Sequence, residues 1–213
     1  MKSSIRVLSV IPGPRQGPVM IFSKRQVQSL TDSGVMQQTI FLENRNSLLA
    51  FITYFREAKR LIKEYDLQIV HSHYGTLTSM FSSLLGIPML ITFQGSDINY
   101  TPSDGVIRDF FGRLLSNITT LFARKIICVS VNVKSMVWWT KSKCEIIPIG
   151  VDPDVFYPRN QLECRNQLGW NKNEFIVLFN ANNPSIKRLD IAEQAINNIR
   201  KSGLLHARLE VMS

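Results

Sequence analysis

Residues 67–93 read LQIVHSHYGTLTSMFSSLLGIPMLITF. An apolar run rich in Ile and Val ends in two histidines, an apolar stretch of helical character closes at Gly86, and a second apolar run, IPMLITF, follows. Strand, helix and strand in this order make a unit whose two strands are parallel, because only a crossover of about a dozen residues or more can join them. The same alternation extends in both directions. IRVLSVI (5–11) predicts a first strand, and residues 17–34 predict a helix with Ile21, Phe22, Val27 and Leu30 on one face. QQTIFL (37–42) is a second strand, and residues 47–65 are a helix capped by Ser47. RKIICVS (124–130) and CEIIPI (144–149) add a fifth and a sixth strand, with a helix expected over 131–141 between them. Continuously apolar strands alternating with helices specify an α/β, Rossmann-like, doubly wound parallel sheet covered on both faces.

After residue 158 the pattern restarts. Residues 160–170 read as a short helix, NEFIVLFN (173–180) as a new strand, residues 184–203 as a helix, and ARLEVMS (207–213) as another strand. The expected organisation is a domain over 1–150, a linker with a short helix over 151–172, and the first βα unit of a second, incomplete Rossmann-like domain over 173–213. The junction is CEIIPIGVDPDVFYP (144–158). Pro148 and Pro153 restrict its backbone, and Asp152 is placed to fix a turn with its side chain.

The chain has 213 residues, 45% apolar and 19% charged, with a net charge of +9. Six of its basic residues, Arg113, Arg124, Lys125, Lys134, Lys141 and Lys143, fall within 111–150 against the single acid Glu145. Such a patch suits anionic partners. Its segment VNVKSMVWWTKSK has two readings: Trp138 and Trp139 facing the core, or a peripheral membrane contact through Trp138, Trp139, Lys134, Lys141 and Lys143. Three cysteines without C-x-x-C spacing argue against a disulfide framework or a zinc site. No apolar run is long enough to span a membrane, so a cytoplasmic protein, peripheral at the inner membrane face in the second reading, is expected. The sequon at Asn117 reads as chance.

In a doubly wound sheet ligands bind beyond the carboxyl ends of the strands. After the first strand, PGPRQGPV places Gly13 and Gly17 before a helix, as simple turn chemistry or as a close approach to a sugar or phosphate; it is not a dinucleotide fingerprint, which removes a dehydrogenase. After the third, His71 and His73 are structural histidines, polar substrate contacts or, with a third ligand that is not evident, a metal site. After the fourth, Gly95 lets the backbone lie near a ligand, while Gln94, Ser96 and Asp97 offer hydrogen bonds to hydroxyls, with Asp97 open to a capping role instead. After the seventh, Asn182 offers an amide, and Lys187 and Arg188 stand at the start of a helix, as a phosphate clamp or as solvated charges.

Taken in order, GPVMIFSKRQVQSLTDSG (17–34), HSHYG (71–75), GIPMLITFQGSD (86–97), KIICVS (125–130), IIPIGVDPDVFYP (146–158) and PSIKRLDIAEQA (184–195) resemble the family 4, GT-B type retaining glycosyltransferases. The resemblance implies two facing Rossmann-like domains, the acceptor mostly on the first and a nucleotide-sugar donor mostly on the second. It implies transfer with retention to a glycan or lipid-linked acceptor, without a metal or other cofactor. Lys187 and Arg188 would face the donor diphosphate, and the Gly17 loop would approach across the cleft. His73, Gly95, Asp97 and Asn182 would contact substrate. Gln94 stands where the family often has His, and can hydrogen-bond but not become a cation. The family's paired glutamates, eight apart, lie beyond residue 213. The expectation is therefore a glycosyltransferase fragment with negligible activity by itself. The rival is a basic α/β module that binds nucleic acid or an anionic surface without catalysis, against which no RNA- or DNA-binding signature is present.

Overall fold

The computed structural model describes residues 5–45, 47–99, 105–182, 187–203 and 206–212. The chain divides into two compact units, Met1–Gly150 and Val151–Ser213. In the first, the elements run β1 (Arg6–Pro12), α1 (Ile21–Asp32), β2 (Met36–Leu42), α2 (Leu48–Glu64), β3 (Ile69–Ser72), α3 (Thr76–Ser83), β4 (Met89–Phe93), α4 (Val106–Thr120), β5 (Ala123–Cys128), α5 (Val131–Ser135) and β6 (Cys144–Ile146). The six strands form one sheet in the order β2-β1-β3-β4-β5-β6. Every neighbouring pair is parallel. This is the Rossmann-like, doubly wound architecture of a GT-B N-terminal domain.

Successive residues of a strand face opposite sides, and here the two sides differ. One carries Leu8, Val10, Ile40, Leu42, Val70, Met89, Ile91, Phe93, Ile126 and Cys128, all in the main core cluster. α2 and α3 pack on this side. Ser47 caps α2, its side chain accepting from the Ala50 amide at 3.3 Å. Phe51, Phe55, Ala58 and Leu61 then return at helical spacing, and the Phe51 and Phe55 rings meet Phe81 of α3 edge-on at 5.3 and 6.3 Å. α4 joins α3 through hydroxyls, with Ser79 Oγ 2.8 Å from Thr119 Oγ1.

The other side carries Ser9, Gln37, His71 and Thr92 in a lateral hydrogen-bonded row. Ser9 Oγ donates to Gln37 Oε1 at 2.6 Å, and His73 just beyond β3 meets Ser9 Oγ at 3.2 Å. His71 meets Thr92 Oγ1 at 2.8 Å. α1 covers this row: Gln37 Nε2 donates to the Val27 carbonyl, and Ser23 is the buried residue of the helix. The α1 face is thus not the apolar one the spacing suggests, and Phe22 is 50% exposed.

Two further elements are shorter than their patterns predict. α5 stops at Ser135, so Trp138 and Trp139 lie in the following turn, and β6 stops at Ile146. Asn117 of the sequon is fully buried; its amide donates to the carbonyls of Arg113 and Met136 and accepts from the Trp138 amide at 2.8 Å. It joins α4 to the chain after α5 and is closed to modification in the folded state.

The second unit holds α6 (Gln161–Gln167), β7 (Phe175–Asn180), α7 (Leu189–Lys201) and β8 (Ala207–Met212). β7 and β8 pair in parallel as a two-stranded sheet. At its start the Asp152 carboxylate accepts from the Asp154 amide at 3.0 Å, and its carbonyl accepts from Phe156 at 2.8 Å, which is the turn expected of that aspartate. Among the described residues of this unit the buried apolar ones are Ala181, Ile196 and Ala207. That is a thin core, as expected of two strands and two helices.

Candidate functional site

The loops that follow β3 and β4 are bound into one body at the carboxyl edge of the first sheet, and Asp97 is the clasp. Its carboxylate, 2% exposed as a residue, accepts from the amides of Gly75 (2.9 Å), Gly95 (2.9 Å) and Gln94 (3.1 Å). Burial pushes its pKa up to about 6, against the opposing pull of those amides. The Asp97 carbonyl accepts from Ser116 Oγ at 2.6 Å, and the same Oγ accepts from the Thr76 amide at 2.9 Å. Asp97 thus serves as a backbone clamp between the two loops, a role that neither of its two sequence readings described. The helix start suggested for capping, residues 102–104, lies outside the described residues.

Gly75 is needed at this joint for space. A Cβ there would stand 2.5 Å from Ser116 Oγ and 2.9 Å from the Phe93 ring. Gly95 is needed for its backbone, with φ of +121°, a conformation that other residues rarely adopt. Above the clamp, Tyr74 Oη and Ser96 Oγ lie 3.0 Å apart, with Ser96 exposed to solvent. Gln94 is partly exposed, and its amide nitrogen donates to Ser23 Oγ of α1 at 2.6 Å, which ties the β4 loop to α1. Gln94 and Ser96 therefore stand at the solvent edge on a rigid support, with Gly95 buried between them.

His73 stands elsewhere than a surface contact. It is fully buried, its ring stacked on His71 at 3.8 Å between centroids, with Nδ1 lacking a partner. Burial lowers the pKa of His71 to about 4 and holds that of His73 well below its ordinary value, the neighbouring ring adding to the second. Both are neutral at physiological pH, and of the readings open to them the geometry matches the structural one. No group of three or more His, Cys, Asp or Glu residues among the described residues is arranged to hold a metal.

The loop after β1 is exposed. Gly17 has φ of +82°, and its carbonyl accepts from Lys24 Nζ at 3.0 Å. Lys24 and Arg15 both lie over the Phe41 ring, at 5.8 and 5.6 Å from its centroid. A cationic, glycine-containing loop thus leads into α1.

Asn182, Lys187 and Arg188 belong to the second unit. The Asn182 amide caps the Asn180 side chain at 3.1 Å, leaving its own side chain at the surface. Arg188 is the left-handed residue before α7, with φ of 59°. Its guanidinium forms a two-pronged pair with the Asp190 carboxylate at 2.9 and 2.7 Å. That pair raises the arginine's pKa and lowers the aspartate's. The repulsion expected of two cations at a helix start is therefore partly answered within the chain by the Arg188–Asp190 pair, and both Lys187 and Arg188 are exposed.

The basic patch is also partly internal. Lys134 Nζ donates to the Cys144 carbonyl at 2.9 Å, and Lys143 Nζ to the carbonyls of Leu121 (3.1 Å) and Ala123 (2.8 Å), capping the end of α4. Lys125 pairs with Glu145 at 2.9 Å. Trp138 and Trp139 stack edge to face at 5.4 Å in a half-exposed pair, with Lys141 exposed nearby in sequence.

Ser23, Gly75 and Ser116 were not among the residues singled out from the sequence. Gly75 carried a signal, the glycine that ends HSHYG; Ser23 and Ser116 carried none, as each is one serine within a helical pattern.

A family model described as Glycosyltransferase Family 4 matches residues 16–155. No curated protein matches the chain. Among solved structures, a Listeria monocytogenes protein described as a UDP-N-acetylglucosamine 2-epimerase is 13% identical, with a TM-score of 0.61 over 98% of this chain and 62% of its own. A glycosyltransferase from Rickettsia africae is 15% identical, with a TM-score of 0.57 over 99% of this chain and 69% of its own. The UDP-GlcNAc 2-epimerase of Neisseria meningitidis, bound to UDP-GlcNAc, is 10% identical, with a TM-score of 0.57 over 98% of this chain and 66% of its own. At these identities the likeness is one of fold. The chain spans 62% of the length of the Listeria protein.

Proposed function

Because this chain belongs to Glycosyltransferase Family 4, we propose that its first unit is the acceptor-side half of an enzyme that moves a sugar from a nucleotide-sugar donor to a glycan or lipid-linked acceptor, with retention. The observation that carries this reading is the Asp97 clamp: one carboxylate holds three amides from two loops, so Gln94 and Ser96 are presented at the carboxyl edge without freedom to rearrange. Preorganised polar groups of this kind stabilise a transition state without paying for ordering when it forms.

In this reading Asp97 positions and does not touch substrate, and His73 supports the sheet beneath. Gln94 and Ser96 hydrogen-bond sugar hydroxyls, and the Gly17 loop closes on the reacting sugars. Lys187 meets the donor diphosphate first. Arg188 joins it by exchanging Asp190 for phosphate, since a guanidinium binds either anion through two parallel bonds. Charge on the departing diphosphate is met by these cations, with no metal assigned a step. A nucleotide sugar as partner is in keeping with the UDP-GlcNAc held by the Neisseria epimerase.

The thin core of the second unit leads to an expected outcome. The 213-residue chain alone shows negligible transfer from UDP- or GDP-sugars, while a polypeptide extended through a full second domain binds one of them and turns it over. Turnover by the 213-residue chain at an ordinary enzymatic rate, on the order of 1 s⁻¹ or more, would overturn the expectation that so thin a second unit cannot serve a donor. An extended, folded protein that binds no nucleotide sugar in calorimetry would overturn the transferase.

A further inference from the structure

Helices in a parallel α/β unit begin at the carboxyl edge of the sheet, because each follows the end of its strand. In the first unit the starts of three neighbouring helices there expose apolar side chains that the core does not use. Leu48 and Leu49 open α2 at 76% and 75% exposure, and Leu77 near the start of α3 is 41% exposed. Ile107, Phe110 and Phe111 on the first turns of α4 are 75%, 53% and 61% exposed, the two rings in an edge-to-face pair at 5.7 Å. Leu77 of α3 shares a hollow with Arg45 and Phe51 at the start of α2, and a Cβ at Gly112 of α4 would stand 3.9 Å from Thr76, the first residue of α3. The three helix starts therefore lie side by side along one rim. Contiguous exposed apolar surface of this kind marks an interaction site.

The charges beside it are cationic. Arg45 precedes α2 and Arg108 lies in the first turn of α4, both exposed. The acid of that turn, Asp109, is drawn inward, its side chain 7% exposed and 3.8 Å from Arg113. No helix among the described residues is long and apolar enough to cross a membrane.

We propose that this rim rests on an anionic lipid bilayer. Ile107, Phe110 and Phe111 enter the boundary between headgroups and acyl chains, and Arg45 and Arg108 lie among the lipid phosphates. A second copy is a poorer occupant, since a symmetric contact sets Arg108 and a net charge of +9 against themselves. The proposal is independent of the sugar-transfer reading, and it sets the contact on α4 and α2 instead of on Trp138 and Trp139, where two of the accompanying lysines are held by carbonyls.

The test is flotation of the 213-residue chain with phosphatidylcholine vesicles, with and without about 30% phosphatidylglycerol. The chain should float with the anionic vesicles only. Phe110→Ser combined with Phe111→Ser should lower its partition by about tenfold or more, with the thermal transition kept because both rings are exposed. Leu48→Ser with Leu49→Ser should lower it less, and Trp139→Ser should leave it unchanged. Absence of binding to anionic vesicles, binding that the double phenylalanine variant leaves intact, or a dimer in sedimentation that the same variant dissolves, would each overturn the proposal.

Discussion

Leu8, Val10, Ile91, Phe93 and Ile126 face one side of the sheet, and Ser9, Gln37, His71, Thr92 and Lys125 face the other. The first side is closed by helices that interlock aromatic rings; the second is covered by α1 through a row of hydrogen bonds. Apolar packing gains from every atom it removes from water, whereas a buried hydrogen bond replaces one already made to water and adds little net. One sheet thus has an apolar face and a mixed one, where Val7 and Ile11 are buried beside the polar row, and that row runs out to the loop that carries Gln94. Stability and site construction are divided between the two sides, at residues one step apart along the same strands.

The largest test of that division is Phe81→Ala. It removes the ring that meets Phe51 and Phe55 and should cost about 3–5 kcal/mol in urea unfolding. A loss no greater than that of a serine on the polar side would end the comparison. Gly75→Ala comes next, at about 1–3 kcal/mol, because its new methyl strikes Ser116 and Phe93. Adding Ser116→Ala should recover part of that loss, and if the pair is simply additive the clash is not the cause.

Acid should then separate the groups by sign. His71 is held down to about 4 from 6.5, and burial holds His73 well below 6.5 as well, so the stability tied to them is full above pH 6.5 and is lost as pH falls. Asp97 is raised to about 6 from 3.8, so acidification through pH 6 relieves its buried charge and favours the folded state. With two histidines acting against one carboxylate, stability should fall as pH drops from about 6 toward 4. Asp97→Asn should steepen that fall, whatever it does to stability at pH 7; an unchanged pH dependence would mean that Asp97 does not titrate in this window. Smallest of all, Ser23→Ala should cost about 1 kcal/mol, and hydrogen exchange should quicken in α1 and around Gln94 but not in α2. Equal acceleration in both helices would show that α1 is not a separately held layer.

The fold could be read from the sequence because its signals are repeated. Each strand is rich in Val and Ile, each helix has its own period, and Ser47 and Asp152 cap and turn as their types predict. What escaped was one-sided. In IRVLSVI and LQIVHSH, Ser9 and His71 interrupt runs that otherwise look uniformly apolar, and only the register of four strands shows that these interruptions line up under α1. The sequence pattern points Phe22 inward because a helix with few apolar residues would need them all, whereas this one buries Ser23 and leaves Phe22 half exposed. At the site, the residues of TFQGSD were visible as hydrogen-bonding groups, but the direction of Asp97 depends on amides from Gly75, distant in sequence. Lys134 and Lys143 looked like surface charge for the same reason: carbonyls have no side-chain signature.

Lys143 shows what such a placement does to reactivity. An amine pinned between the carbonyls of Leu121, which ends α4, and Ala123, which opens β5, on a half-buried side chain is poorly presented to reagents in solvent. An acylating reagent should mark Lys141 well before Lys143 two positions on. Once Lys143 is acylated, its amide can no longer span the helix end, so the modification would unravel the last turn of α4 as it reports on it.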